Sequence, residues 1–156
     1  MSGAAAVTDR PADELALERA FRTIHATRMM GLEFLNEQLR VEALGFRDWA
    51  GLRIGALVTP WSINLVLLSG PEHVLPPVRR GEQHPWAFPS GIYGFHAHEE
   101  PMLGAYHQCS LFSPATGFAT HDDAAAAARA ALEALLVAPV PVAPAPLTRR
   151  ALLSGA

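Results

Sequence analysis

The chain has 156 residues, of which 50% are hydrophobic and 17% are charged, and its formal net charge is −3. This length fits one domain with its own core, and the low share of charged residues leaves apolar surface, which favours a protein that binds other proteins. No basic excess is available for phosphate backbones or anionic lipid, so we expect no nucleic-acid partner.

The first predicted element is an N-terminal helix. Pro11 and Glu14 indicate its start, because proline fits the first turn and acids favour the positive end of the helix dipole. Apolar residues at helical spacing between Leu17 and Ile24 predict one buried stripe. Gly31 suits a left-handed cap, so the helix should end near it.

Three strands are predicted next. Alternating residues from Leu39 to Phe46 and from Leu52 to Val58 indicate a hairpin, and Ile63 to Leu68 has the length and composition of a buried strand. Pro60 separates the last two, so we expect an antiparallel meander. The uncharged run from Ile54 to Pro71 approaches the length of a membrane span, but its centre is polar, so we expect no stable membrane insertion.

The second half of the chain begins with residues 70–91, where prolines and glycines predict a long loop. Ile92 to Ala97 and His107 to Phe112 read as two short strands, and Thr120 caps a final helix over 124–137. The predicted fold is therefore α+β: an antiparallel sheet of about five strands, flanked by an N-terminal and a C-terminal helix.

We predict a single domain over residues 1–138, followed by a Pro-rich tail, 139–156, that we expect to be disordered. Cys109 is the single cysteine, which excludes an intramolecular disulfide and fits a reducing compartment. The N-terminus has no basic region followed by an apolar segment, as a secretion signal would have. The expected location is the cytoplasm.

Histidines raise the possibility of a metal site. His96 and His98 lie two apart on one predicted strand, and His107 and Cys109 have the same spacing on the next. Residues two apart share one face of a strand, so all four ligands could converge if the register of the strands allowed it. A metal or metal-centre carrier is therefore the alternative function, and surface histidines are the simpler interpretation.

Enzyme activity is not indicated. The neighbours of Cys109 look like strand interior, whereas a catalytic thiol needs an electropositive, partly exposed setting. No nucleophile elbow, phosphate-binding loop or dinucleotide fingerprint is present in the sequence. A redox sensor built on Cys109 is a third reading, and it would require a low thiol pKa.

Aromatic residues beside prolines favour partner binding, since rigid aromatic anchors carry much of the energy of protein interfaces. These residues are Trp61, Trp86, Phe88 and Phe112. Each of them could instead belong to the core.

Four sequence blocks resemble, in order, the signature of the HybE/HupJ family of nickel–iron hydrogenase accessory chaperones. The blocks are Val58–Leu68 (VTPWSINLVLL), Trp86–Gly91 (WAFPSG), Glu100–Tyr106 (EPMLGAY) and Cys109–Pro114 (CSLFSP). The resemblance extends from about Phe21 to Leu136 and includes Met30–Leu32 and Arg40–Phe46.

The resemblance implies a non-enzymatic cytoplasmic factor, without cofactor or metal, that binds hydrogenase precursors before export. The implied partners are the small subunit with its twin-arginine signal peptide, the large-subunit precursor, and other hydrogenase accessory proteins. We predict that contacts to the partner come from Trp61, Asn64, Trp86, Phe88, Cys109 and Phe112.

The tail contains one further motif. Thr148–Leu153 reads TRRALL, which resembles the twin-arginine export motif, although no apolar translocation segment follows it. We hypothesise that this segment mimics the client's signal peptide and competes weakly for the same groove. A chain end of no consequence is the simpler interpretation.

Overall fold

The computed structural model describes residues 10–76, 79 and 82–138. Within them the chain forms two α-helices, α1 (Ala12–Ile24) and α2 (His121–Leu135), and a π-helical turn at His25–Met29 that continues α1. The strands of the described residues are β1 (Glu42–Trp49), β2 (Leu52–Val58), β3 (Ile63–Leu68), β4 (Gln83–Phe88), β5 (Gly91–Glu100) and β6 (Gly104–Phe112).

The strands form one antiparallel sheet in the order β1-β2-β3-β6-β5-β4. The predicted meander of β1, β2 and β3 is confirmed, with Ala56 paired to Leu44 on one side and to Leu65 on the other. Strand β6 then lies beside β3, which places β4 at the far edge of the sheet.

Strand β4 lies inside the region predicted to be a long loop, and the predicted number of about five strands was therefore one too low. Pro85 argued against a strand there, because proline cannot donate a hydrogen bond to a sheet ladder. The observed strand is an edge strand with a single neighbour, β5, so the missing N–H of proline is tolerated.

Each face of the sheet packs against one helix. Phe21 and Leu17 of α1 join a cluster with Val66 of β3, whereas Leu132 of α2 packs in the other cluster with Leu65. Neighbouring strand residues point to opposite faces, so Leu65 and Val66 belong to different clusters. We call these surfaces the α1 face and the α2 face. The α+β fold with a sheet between two helices confirms the prediction.

The ends of the helices follow local sequence signals. The side chain of Thr120 accepts a hydrogen bond from the backbone N–H of Asp123 at 3.0 Å, which confirms the predicted cap of α2. The π-helical turn after α1 ends at Met29, and Gly31 has a φ of +83°, as expected for a residue in the left-handed region.

Two glutamates of α1 bind the backbone of the edge strand β1. Glu18 accepts from the N–H of Ala43 and Glu14 from the N–H of Phe46, both at 2.9 Å. The register of β1 shifts between Leu44 and Arg47, so the carboxylates satisfy donors near a break in the ladder. Glu14 was predicted only to favour the helix dipole; it is in fact buried at 6% exposure.

No helix of the described residues is long and apolar enough to cross a membrane. The Pro-rich tail at 139–156, with its arginine pair, lies outside the described residues.

Candidate partner-binding surface

Helix α1 covers the half of its face that lies over β1, β2 and β3. Its apolar side chains contact Leu57, Val66 and Leu68, and they extend as far as Tyr106 on β6. On the remaining half, six positions of β4, β5 and β6 that point to this face carry exposed side chains, whereas His98 and Gln108 beside them are partly buried. We call this surface the open half-face, formed by Gln83, Pro85, Ala87, Ile92, His96 and Ser110.

The open half-face has no Asp, Glu, Lys or Arg at these six positions, and Ile92 is 74% exposed. An exposed sheet surface without these charged residues is typical of a site that another protein covers. It also adjoins β4, the outer strand of the sheet in the described part of the chain, which pairs there with β5.

Trp61 lies beside the C-terminal part of α1. Its ring stacks on Phe21 at 6.3 Å between centroids and lies 5.8 Å from the ring of His25. The turn that holds it is built around Thr59, whose hydroxyl oxygen accepts hydrogen bonds from the N–H groups of Trp61 and Ser62 at 3.2 and 2.9 Å. Trp61 is therefore half-buried and held in position, with part of its ring open to solvent.

Asn64 points to the α1 face but is only 3% exposed. Its side-chain amide donates to the hydroxyl of Ser62 at 2.9 Å, and this bond ties β3 to the Thr59 turn. In the folded chain Asn64 therefore supports the position of Trp61 and offers little surface of its own to a partner.

Trp86 and Phe88 lie on the opposite, α2 face. Phe88 is 6% exposed and stacks on Trp49 at 4.2 Å, while the half-buried Trp86 packs edge-on against Trp49 at 6.2 Å. The indole N–H of Trp86 donates to Nδ1 of His107 at 3.2 Å, so this nitrogen of His107 is the acceptor and unprotonated. These aromatic residues hold β4 to the rest of the sheet.

Cys109 also points to the α2 face, where it is half-buried against the core of that side, and burial raises the pKa of its thiol. A raised pKa is the opposite of what a redox-sensing thiol requires. Phe112 lies after a shift in the β3–β6 register, is 44% exposed and packs edge-on against Phe118 at 5.0 Å.

The six predicted contact residues thus do not form one surface. Trp61 and Asn64 belong to the α1 face, Trp86, Phe88 and Cys109 belong to the α2 face, and Phe112 lies at the end of β6. Among the six, Phe112 is exposed, Trp61, Trp86 and Cys109 are half-buried, and Asn64 and Phe88 are buried.

The predicted convergence of the His96/His98 pair with the His107/Cys109 pair is wrong. Strands β5 and β6 are neighbours as required, but the residue opposite His107 is Ala97, not a histidine. His96 and His98 therefore point to the α1 face, and His107 and Cys109 point to the α2 face. No group of three or more metal-binding side chains occurs among residues 10–76, 79 and 82–138.

One feature of the α1 face was missed from the sequence: a groove between α1 and the β5–β6 turn. Ala20, Ile24 and Arg28 form its helix side, and the turn residues Pro101 and Met102 form the other. At its rim the guanidinium of Arg28 binds the carboxylate of Glu100 at 2.7 Å. The spacing of 20, 24 and 28 would have predicted one stripe of α1, but the turn that completes the groove is brought there only by the fold.

The family model described as NiFe-hydrogenase assembly, chaperone, HybE matches residues 12–155. The hydrogenase expression/formation protein HupT of Azotobacter chroococcum mcd 1 is 39% identical over 142 residues, covering 90% of this chain and 93% of that protein. The probable rubredoxin HupJ of Rhodobacter capsulatus is 35% identical over 117 residues, covering 75% of this chain but 42% of that protein.

A solved structure extends the comparison to the fold. The solution structure of HybE from Escherichia coli superposes with a TM-score of 0.67 at 25% sequence identity, covering 85% of this chain and 82% of that one. The resemblance detected in the four sequence blocks is thereby confirmed. The chain belongs to the HybE family of NiFe-hydrogenase assembly chaperones.

Proposed function

We propose that this chain acts in hydrogenase maturation by binding the precursor of the small subunit, with its twin-arginine signal peptide, and holding it before export. Membership of a family of hydrogenase assembly chaperones supports this role. The observation that supports the binding mode is the open half-face, an exposed surface without Asp, Glu, Lys or Arg that lies beside the outer strand β4 and next to α1.

The chemistry of a signal peptide matches this side of the molecule. Such a peptide combines arginines with an apolar segment, so it needs both an apolar surface and an acidic group. Ile92 and Trp61 supply apolar surface on the α1 face, and Glu100 lies at the end of β5 on the same face. The chain acts by binding and not by catalysis, and it works in the cytoplasm, where precursors await export.

Among the predicted contacts, we propose that Trp61 and Phe112 touch the partner directly. Asn64 and Phe88 are buried, so they act by keeping the Thr59 turn and strand β4 in place. Trp86 and Cys109 are half-buried on the α2 face and would contact a second region of the partner, for example the large-subunit precursor or another accessory protein.

The test is capture of separately produced small-subunit and large-subunit precursors by the purified full-length chain. We expect capture of the small subunit when its signal peptide is present and much weaker capture when it is removed. Equal capture of both forms would contradict recognition of the signal peptide, and capture of the large subunit alone would move the proposal to that client.

Alanine variants test which residues contact the precursor. Trp61→Ala and Phe112→Ala should each reduce capture by roughly tenfold or more, as expected for aromatic anchors of an interface. Ile92→Ala tests the open half-face directly, and Val74→Ala is its matched control because Val74 is an equally exposed aliphatic residue, at 80%, in a loop. If capture falls only in variants whose thermal unfolding shows that they no longer fold, the residues belong to the core and the assignment is wrong.

The tail hypothesis has its own test. Residues 139–156 are removed, and the affinity for the client signal peptide is compared with that of the full chain. A rise in affinity of a fewfold supports competition by the Arg149–Arg150 segment. Unchanged affinity would end the idea of mimicry.

A further inference from the structure

The groove between α1 and the β5–β6 turn has an apolar floor and a charged rim. Ala20 and Ile24 lie on the helix side, Pro101 and Met102 on the turn side, and the space between them is about 140 Å³. A cavity of about 150 Å³ holds a molecule the size of benzene, so this space accepts one large apolar side chain. Met102 is 52% exposed, and an unbranched thioether adapts readily to different occupants.

The rim carries one ion pair. Nη2 of Arg28 binds Oε1 of Glu100 at 2.7 Å, with the side chain of Glu100 12% exposed and that of Arg28 52% exposed. The side chain of Glu100 is thus mostly covered by the chain, whereas that of Arg28 is half exposed. An exposed arginine in such a pair contributes little to stability, and another cation of the same shape can replace it.

The electrostatic setting favours a cation at this position. Glu100 is the last residue of β5, and Arg28 lies in the π-helical turn that ends α1. Carbonyl groups at the C-terminal end of a helix carry partial negative charge, which adds to that of the carboxylate. The rim of the groove therefore favours a cation, and in this structure the guanidinium of Arg28 binds there.

We infer that this groove receives an arginine of the client's export signal together with the apolar side chain that follows it, and that Arg28 is an internal competitor for Glu100. This inference rests on the function proposed above and assigns its specificity to one carboxylate. On binding, the client's guanidinium displaces that of Arg28 from Glu100, and the apolar side chain enters between Ile24 and Met102.

The neighbouring glutamate offers a matched control. Glu99 precedes Glu100 in β5 and therefore points to the opposite face of the sheet, away from the groove. Both residues carry the same charge within one peptide unit, so a general effect of net charge would appear in both variants. Arg19 provides the corresponding control for Arg28, because it is an exposed arginine of the same helix.

The experiment measures fluorescence anisotropy of a labelled synthetic signal peptide of the hydrogenase small subunit, titrated with the full-length chain. Glu100→Gln should weaken binding by roughly tenfold, the loss of a charge-assisted hydrogen bond. Arg28→Ala should strengthen binding by roughly two- to fivefold, because the competitor is gone. In the double variant Arg28→Ala/Glu100→Gln the gain should vanish, and Glu99→Gln and Arg19→Ala should bind as the parent chain does.

The peptide is varied as well. Replacing its two arginines by lysines should weaken binding to the parent chain and abolish most of the gain from Arg28→Ala, because a planar guanidinium pairs with a carboxylate through two bonds and an ammonium does not. A gain of affinity cannot come from unfolding, so Arg28→Ala remains informative even if Glu100→Gln is less stable.

The outcomes separate this inference from the proposed function. If the parent chain binds neither the peptide nor the small-subunit precursor, the proposed function fails and the inference fails with it. If the parent chain binds the peptide but Arg28→Ala and Glu100→Gln bind as the parent does, recognition of the signal stands and the groove is not its site. Equal effects of Glu99→Gln and Glu100→Gln would likewise reject the groove in favour of general charge attraction.

Discussion

Removal of the Glu18 carboxylate should destabilise the chain more than any other single truncation of a charged side chain in α1. Glu18 is 2% exposed and accepts the backbone N–H of Ala43 at 2.9 Å. It also binds Arg10 at 2.6 Å, with Arg22 at 3.3 Å as a further partner. One side chain thus joins α1, the chain before it and the edge strand β1.

The expected cost of Glu18→Ala follows from these contacts. A buried backbone donor left without an acceptor costs about 1–3 kcal/mol. The side chain of Arg10 is 40% exposed, so solvent screens its pair with Glu18 and limits that part to about 1 kcal/mol. Together, Glu18→Ala should lower the free energy of unfolding by about 2–4 kcal/mol, and Glu18→Gln by less because an amide oxygen can still accept from Ala43.

Urea denaturation followed by circular dichroism measures this loss, with the exposed Glu37→Ala as the control. The pH dependence gives a second test. Burial by itself raises the pKa of Glu18, but hydrogen bonds from Arg10 and Ala43 outweigh it and hold the pKa below its usual range. The stabilisation is therefore present above the unfolded pKa of about 4.3 and is lost as the pH falls through the folded pKa.

Two results would refute this reasoning. A loss below about 0.5 kcal/mol for Glu18→Ala, equal to that of the Glu37 control, would show that water or another group satisfies the N–H of Ala43. An acid limb of stability that is unchanged in Glu18→Gln would show that this carboxylate is not the group that titrates.

Three further predictions concern the core and the thiol. Gly55→Ala should lower the free energy of unfolding by about 1–3 kcal/mol, because the added Cβ would lie 2.2 Å from Cδ1 of Phe46. Gly117→Ala is the control in the same urea titration: a Cβ there has no atom within 4 Å, so the change should be less than about 0.5 kcal/mol. Burial lowers the pKa of His107, so the contribution of its neutral imidazole to the free energy of unfolding should be fully present above the unfolded pKa of about 6.5 and fall as the pH drops below it. The His107→Gln chain should lack this pH dependence. An identical pH dependence in that variant would exclude the imidazole as its source. Cys109, whose pKa is raised by burial, should react with iodoacetamide more slowly than glutathione between pH 7 and 8, and faster reaction would revive a redox role.

The location of strand β4 shows where sequence periodicity fails. A proline in a six-residue segment argues against a ladder, and that argument holds for a strand with two neighbours. Pro85 lies instead on the outer strand of the sheet, which only the order β1-β2-β3-β6-β5-β4 reveals. The aromatic residues beside it gave a signal, since Trp86 and Phe88 alternate on one face as strand residues do.

The histidine pairs show a similar limit. Alternation along each strand was predictable from spacing alone, and both pairs do share a face within their own strand. Whether His107 stands opposite His96 or Ala97 depends on a register of one residue, which the β5–β6 turn sets. A shift of one residue moves a side chain to the other face of the sheet, so sequence spacing could not decide the site.

The sequence by itself determined the features whose signals are local: the capped helix α2, the apolar stripe of α1, the meander of β1 to β3, and the four sequence blocks that indicate the family. The tertiary structure decided which of those residues meet. Long-range packing buries Glu14, Asn64 and Phe88, leaves six positions on the α1 face of β4, β5 and β6 exposed, and brings Arg28 to Glu100 across 72 positions of the chain. Local propensity describes neighbours in sequence, whereas burial and ion pairing depend on strand order and register, which the whole chain fixes together.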